Sequence, residues 1–301
     1  MRRLHLFLIL IILNSTFVYS QDKQDSDWQY LGQEPPGLHP EIFAPGIISG
    51  NGRLHCFPSF SADGKEVVWM TLPPKLLYVN YDETWSEPRE LPFTKNYRCM
   101  FPVHSYDNNR LYFASNNIPG GAGNIDIWYV EKTDTNYSEP INLGLPINTI
   151  EAENQPVFTK SGNIYYTGFV QGKRWDRGIL YSKFESGEYL TPQILNENIN
   201  IIDTNAIDYT PFISKDESYL LFCSNRQNIE NEDCRIYISF RENTGNWGNP
   251  ININEIIGFD FDSRDPYISP DEKYLFFSSG ENIYWMSSKI IDIIKNNKNG
   301  S

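Results

Sequence analysis

Apolar positions in this chain come in short runs, each closed off by Pro, Gly, Asp or Ser, and the runs recur in a fixed order. A proline opens a strand, a turn containing Ser or Thr follows, and two strands rich in aromatic residues come next. The opening prolines are Pro58, Pro102, Pro156, Pro211 and Pro266, at intervals of 44, 54, 55 and 55 residues. A period of this size marks propellers and solenoids. The third residue after each proline is Ser61, Ser105, Thr159, Ser214 or Ser269. A hydroxyl there can cap a tight turn whose geometry the following Asp or Gly completes. Second strands are predicted at 66–71, 110–115, 163–168, 219–224 and 274–279, and third strands near 77–81, 125–130, 179–184, 235–240 and 282–286. The second strands are apolar on both faces, as small sheets sandwiched between neighbours must be.

A second proline recurs after the third strands, at Pro88, Pro140, Pro192 and Pro250, each ahead of a short outer strand. Proline at the start of an edge strand costs no ladder hydrogen bond. The fifth repeat lacks this element, and the segment Pro40-Glu41-Ile42-Phe43-Ala44 has its spacing: Pro40 lies 18 residues before Pro58, against 14, 16, 19 and 16 for the internal prolines. The predicted architecture is therefore an all-β propeller of five four-stranded antiparallel blades, closed by an N-terminal outer strand on the last blade. Only residues 21–56 would hold a sixth.

The elements Pro266-x-x-Ser269-Pro270-Asp271, Leu275-Phe276-Phe277-x-Ser279 and Ile283-Tyr284, with Phe222-x-Ser224-x-Arg226 in the fourth repeat, resemble the WD40-like (PD40) repeat of TolB-type propellers. The similarity spans nearly all of the chain after residue 20. It is weakest in the third repeat, where Ser161-Gly162 replaces Asp-Gly. The resemblance implies an exported, single-domain propeller and little chemistry. TolB-type domains commonly have six blades, one more than counted here.

Arg2 and Arg3 ahead of the apolar run 4–13 read as a secretory leader ending near Ser20, too short and too early interrupted to span a membrane. Residues 21–34 are expected to be a mobile lead-in, 35–288 the propeller, and 289–301 a short C-terminal helix and frayed tail, with Ile290, Ile291, Ile293 and Ile294 as its apolar stripe. Without the leader, 23 Lys and Arg face 38 Asp and Glu, a balance of −15 that repels nucleic acid and anionic membranes. Cys56, Cys99, Cys223 and Cys234 form no zinc spacing. They are read as small buried residues, with a Cys223–Cys234 bridge as the alternative.

A propeller binds at the mouth of its channel. The residues at the starts of the inner strands are the candidates: His55, Arg98, Glu153, Asp208, Arg264 and Asp265. They would grip a peptide terminus or a sugar, or else the acids would hydrogen-bond backbone amides between blades. Trp175, between Arg174 and Asp176 at a predicted hairpin tip, offers a flat face to a sugar or protein, or packs over the next blade. Glycosidase chemistry would need two of Glu153, Asp208 and Asp265 roughly 5 to 9.5 Å apart. No G-x-S-x-G elbow is present, and His39, His55 and His104 mark no triad. Asp260, Asp262 and Asp265 lack the Gly and distal Glu of a calcium loop. The expected function is a monomeric, non-catalytic, exported binding module for a protein, peptide or glycan, with no cofactor or metal. A glycosidase-like enzyme and a structural envelope module are the alternatives.

Overall fold

The structure is a computed structural model that describes residues 30–50, 57–133, 136–173, 177–202, 205–228, 230 and 232–300. The leader, His55, Cys56 and Trp175 lie outside the described residues. Each of the five Ser/Thr turns is built alike. The hydroxyls of Ser61, Ser105, Ser214 and Ser269 donate to Asp63, Asp107, Asp216 and Asp271 at 2.6 to 2.9 Å. They accept the backbone N–H of Glu66, Arg110, Tyr219 and Tyr274, which begin the second strands, at 2.9 to 3.1 Å. In the third blade Thr159 pairs with Ser161 at 2.8 Å and accepts the Asn163 N–H at 3.1 Å. Gly64, Asn108, Gly162, Glu217 and Glu272 close these turns with φ of 70°, 60°, 90°, 57° and 62°. That conformation is natural to Gly and tolerated by Asn, and it is a small strain in the two Glu.

The inner strands start earlier than the prolines. In blades two to five they are Cys99–His104, Asn154–Phe158, Asp208–Ile213 and Arg264–Ile268. The register against the second strand slips at each proline. The preceding residues, Phe101, Gln155, Thr210 and Asp265, have φ between 50° and 55°. A bulge leaves one residue out of the ladder, so a mid-strand proline, which has no N–H to give, is accommodated there. The second strands are Glu66–Thr71, Arg110–Ser115, Ile164–Phe169, Tyr219–Ser224 and Tyr274–Ser279. The third are Lys75–Asp82, Asp126–Glu131, Arg177–Ser182, Arg235–Phe240 and Asn282–Ser287. Outer strands Arg89–Glu90, Ile141–Asn142, Gln193–Ile194 and Ile251–Asn252 directly follow the four second-set prolines.

Ring closure follows the predicted pairing: Glu41–Ile42 runs antiparallel to the last third strand, with Glu41 opposite Trp285 and Ile42 opposite Tyr284. Phe43 is fully buried among Phe60, Phe276 and Trp285, linking this strand to the first blade as well as the fifth. Tyr30, inside the segment expected to be mobile, is buried. Its ring meets Phe60, Tyr274 and Trp285, and its hydroxyl donates to Asp271 at 2.7 Å. The C-terminal helix α2 (Lys289–Gly300) runs through the tail expected to fray; Ile290, Ile291 and Ile294 are buried and Ile293 is exposed. A one-turn helix, α1 (Ile253–Ile257), was not anticipated. Asn252 caps its start and Gly258, at φ 67°, ends it. No helix among the described residues is long and apolar enough to cross a membrane.

Candidate functional site

Glu153, Asp208, Arg264 and Asp265 stand at or just before the starts of their inner strands, and each is committed to its own local network. Glu153 accepts from the Thr149 N–H at 2.9 Å and the Thr149 hydroxyl at 2.6 Å, tying down the loop ahead of its strand. Burial pushes its carboxyl above the ordinary value. Asp208 lies between two cations, Lys173 Nζ at 2.5 Å and Arg226 at 2.8 Å, and also accepts the Ile201 N–H at 3.1 Å. Arg226 further donates to the carbonyls of Asn198 and Ile199 at 2.9 Å each, so this cluster clamps the third blade to the fourth. Arg264 bonds Asp262 at 2.8 Å and the Tyr209 hydroxyl at 2.9 Å.

Asp265 meets no cation directly among the described residues. Its carboxylate accepts from Ser278 at 2.8 Å, and burial pushes its pKa up to about 6 despite that bond and nearby Arg264. The three carboxylates proposed for hydrolysis, Glu153, Asp208 and Asp265, are 2%, 0% and 3% exposed. Arg98 is exposed. In the acidic run Asp260, almost fully exposed, pairs with Arg235 at 2.8 Å, and Asp262 pairs with Arg264. No group of His, Cys, Asp and Glu among the described residues could hold a metal. Cys99, Cys223 and Cys234 are buried free thiols, so no Cys223–Cys234 bridge forms. The glycine-rich turn from Gly120 to Gly123 is pinned by Asp126, which accepts the N–H of Ala122 at 2.5 Å and of Gly123 at 3.1 Å.

His104 belongs to a constellation the sequence did not reveal. Its Nδ1 lies 2.9 Å from Ser59 Oγ and its Nε2 2.9 Å from Glu66 Oε1, which also meets Lys132 at 3.4 Å and the Tyr137 hydroxyl. The order Ser, His, Glu is that of a hydrolytic triad, but Ser59 is fully buried and its Oγ also takes the His104 backbone N–H. A nucleophile must reach a carbonyl carbon. This group is instead a clasp between the first and second blades. Burial opposes ionisation of Glu66, yet His104, Lys132 and Tyr137 outweigh it and lower the pKa to about 2.

Two further sets of residues repeat unnoticed in the sequence. Asn148, Asn200 and Asn254 each accept the N–H opening a third strand, at Ile127, Ile179 and Ile236, at 2.8 to 2.9 Å. Ser49 does the same to Ile283 in the closing blade. Each follows a buried isoleucine, so the signal was an Ile-Asn or Ile-Ser pair at near-constant spacing. Trp85, Tyr137, Tyr189 and Trp247 all stand three residues before an outer-strand proline.

At the turn-bearing end the channel narrows to a cavity of about 40 Å³ with lining from every blade, including Phe60, His104, Phe158, Phe212 and Tyr267. Lys215 donates to the Pro270 carbonyl at 2.6 Å and lies 5.9 Å from the centre of the Tyr106 ring, bridging three blades at this mouth. Larger openings lie between blades. A cleft of about 250 Å³ separates blades two and three and shares Ser105, Tyr106 and Phe158 with the channel cavity. Another, about 530 Å³, lies beside α1 and is lined by Gln227, Arg235, Asn252 and Phe259.

Solved structures share this fold. An endo-arabinase from Bacteroides thetaiotaomicron VPI-5482 is 12% identical, with 83% of this chain and 96% of that one covered and a TM-score of 0.55. A GH43_12 retrieved from capybara gut metagenome is 14% identical, with 86% and 54% covered and a TM-score of 0.51. A structure described as TolB from Agrobacterium tumefaciens is 18% identical, with 75% and 70% covered and a TM-score of 0.49. At these identities the likeness is one of fold alone. No protein-family model matches the sequence, and no curated protein does.

Proposed function

We propose that this chain is an exported, non-catalytic binding propeller of the TolB-like, WD40-repeat kind, whose ligand is a protein, peptide or glycan. The observation that carries this reading is the fate of the carboxylates. Glu153, Asp208 and Asp265 are buried, and each is occupied by a hydroxyl, an amide or a cation of its own chain. A glycosidase needs one carboxylic acid and one carboxylate open to the bond between them. Export rests on the leader-like residues 1–20 and on the acidic balance, which keeps a protein soluble and away from phosphate.

The test is to apply the mature chain to a glycan array and an envelope-fraction pull-down, with a reducing-sugar assay on arabinan and xylan alongside. Saturable binding without sugar release is expected. Turnover that Glu153→Gln abolishes, with the melting curve intact, would replace this reading with the glycosidase-like enzyme. An absence of any saturable ligand would replace it with a structural envelope module.

A further inference from the structure

The blades supply their own control for one another, and the cleft between the second and third departs from the pattern of its neighbours. Between blades one and two, Glu66 fills the cleft and is met by Lys132 and Tyr137. Between blades three and four, Glu217 fills the equivalent space. It accepts from Asn163 at 2.6 Å, the Tyr165 hydroxyl at 2.9 Å and Arg241 at 2.7 Å. Each arrangement puts one carboxylate against a cation that follows a third strand and a tyrosine on the cleft wall. Neither carboxylate is left without partners, as buried charge requires.

The cleft between blades two and three keeps a cation and tyrosines in its lining, Arg110 with Tyr112 and Tyr189, and lacks the acid; Lys183 is not part of that lining. Arg110 stands where Glu66 stands in the first blade, directly after the Ser-turn. Tyr112 holds the place of Tyr165, two residues into the second strand, and Lys183 that of Lys132 and Arg241, following the third strand. The turn position that is Glu217 in blade four is Gly162 here. What remains is an opening of about 250 Å³ walled by Tyr106, Tyr112, Phe158, Phe184 and Tyr189. The only lining carboxylate, Asp107, already accepts from Ser105 and Asn109. Arg110 and Lys160 make the lining net positive in a chain of net charge −13. Arg110 pairs with the half-exposed Glu131 at 3.2 Å and lies 4.5 Å from the centre of the Tyr129 ring, and Lys183 pairs with the half-exposed Glu185 at 2.9 Å, so among the described residues no buried carboxylate meets either cation.

We infer that this cleft takes an acidic sugar residue, a uronate of a glycan, whose carboxylate supplies to Arg110 the negative charge that Glu66 and Glu217 supply in the adjoining clefts. The inference rests on the reading of the chain as a binding module and names one ligand class and its seat. Aromatic walls suit the apolar face of a pyranose ring, and the guanidinium of Arg110 suits a carboxylate in two-point contact. The cleft holds one ring and opens beside the channel mouth, with room for the glycan to continue outward past Phe184, which is 37% exposed.

Titration calorimetry of the mature chain with trigalacturonate, beside neutral galactotriose and an acidic tripeptide ending in tyrosine, tests this. Trigalacturonate should bind at least tenfold more tightly than either, and less tightly as salt is raised. Arg110→Gln, which removes a surface cation, should weaken it tenfold or more. Gly162→Glu, which plants the carboxylate of the fourth blade, should abolish it, with melting curves showing both variants folded. Equal binding of the neutral sugar, preference for the peptide, or unchanged affinity in folded Arg110→Gln would overturn the inference. If galacturonates fail while another array ligand binds, the binding-module reading stands without it; if nothing binds, both fall.

Discussion

The two ends of the inner strands solve the same problem in opposite ways. At the turn end, one hydroxyl, one small acceptor and one left-handed residue recur five times with nearly the same distances. At the starting end every blade differs: Glu153 caps a loop, Asp208 sits between two cations, and Asp265 is buried against a serine. The repeated turn bonds are made by hydroxyls and mostly exposed acids of modest individual value, with Glu66 as the buried exception beside the first turn, whereas the variable end holds buried charge in blades three to five. Disturbing one blade should therefore cost far more at the start of its inner strand than at its turn.

The sharpest break comes at Asp208. Replacing it with Ala strands Lys173, whose side chain is fully buried, and the mostly buried Arg226. Removing one partner of a buried ion cluster costs about 3–5 kcal/mol. Ser214→Ala, just beyond the other end of the same strand, forfeits two turn hydrogen bonds worth about 1 kcal/mol each at most, with the Asp216 carboxylate and the Tyr219 N–H. Urea denaturation of the two variants measures the gap. Equal losses would mean that the buried cluster is no more stabilising than a turn.

Acid titration separates the ends by sign. Asp265 has its folded pKa raised to about 6, so the folded state holds a proton that the unfolded chain has released between its ordinary value near 4 and that point. Stability must fall as pH rises through this window. Asp265→Asn removes the ionisation cost, and its advantage over the parent should grow from nothing near pH 4 to on the order of 3 kcal/mol above pH 6. Glu66, lowered to about 2, behaves oppositely. Its contribution is complete above its unfolded value and is lost as pH falls toward 2. The deficit of Glu66→Gln should therefore be full at neutral pH and shrink in acid. Chemical denaturation from pH 3 to 8 reads both, and parallel curves for the two variants would contradict these opposite environments.

The same contrast explains what the sequence disclosed. Five copies of the Ser/Thr turn align themselves, and the prolines that flank them placed four second strands to the residue and paired Glu41–Ile42 with the last blade. The bulges were hidden because a mid-strand proline and a strand-opening one look alike until the ladder is seen slipping beside Asp265 or Thr210. Burial of Glu153 and Asp208 was hidden for a different reason. Their partners Thr149, Lys173 and Arg226 come from loops that differ in every blade, so no internal copy announces them. The Asn latches lay between these cases, repeated but masked by the many other Asn around them. Asn200→Ala leaves the Ile179 N–H without its side-chain acceptor in a buried setting, a loss of about 1–3 kcal/mol. Asn200→Asp, which keeps the acceptor but not the donor to the Ile179 carbonyl at 2.9 Å, tests whether acceptance alone suffices.

The smallest expected effect lies where the repeated end is least regular. In blade three Ser161 stands where four other turns carry Asp, and its 2.8 Å contact with Thr159 is between two neutral hydroxyls. An Asp there would accept the Thr159 hydroxyl as a carboxylate, and charged acceptors hold such bonds more strongly. The position is exposed, so solvent returns most of that gain, and Ser161→Asp should stabilise the chain by no more than about 0.5 kcal/mol. A thermal melt in low and high salt resolves the charge contribution. A clear loss instead would mean that the Thr159–Ser161 hydroxyl pair holds this turn better than a carboxylate does.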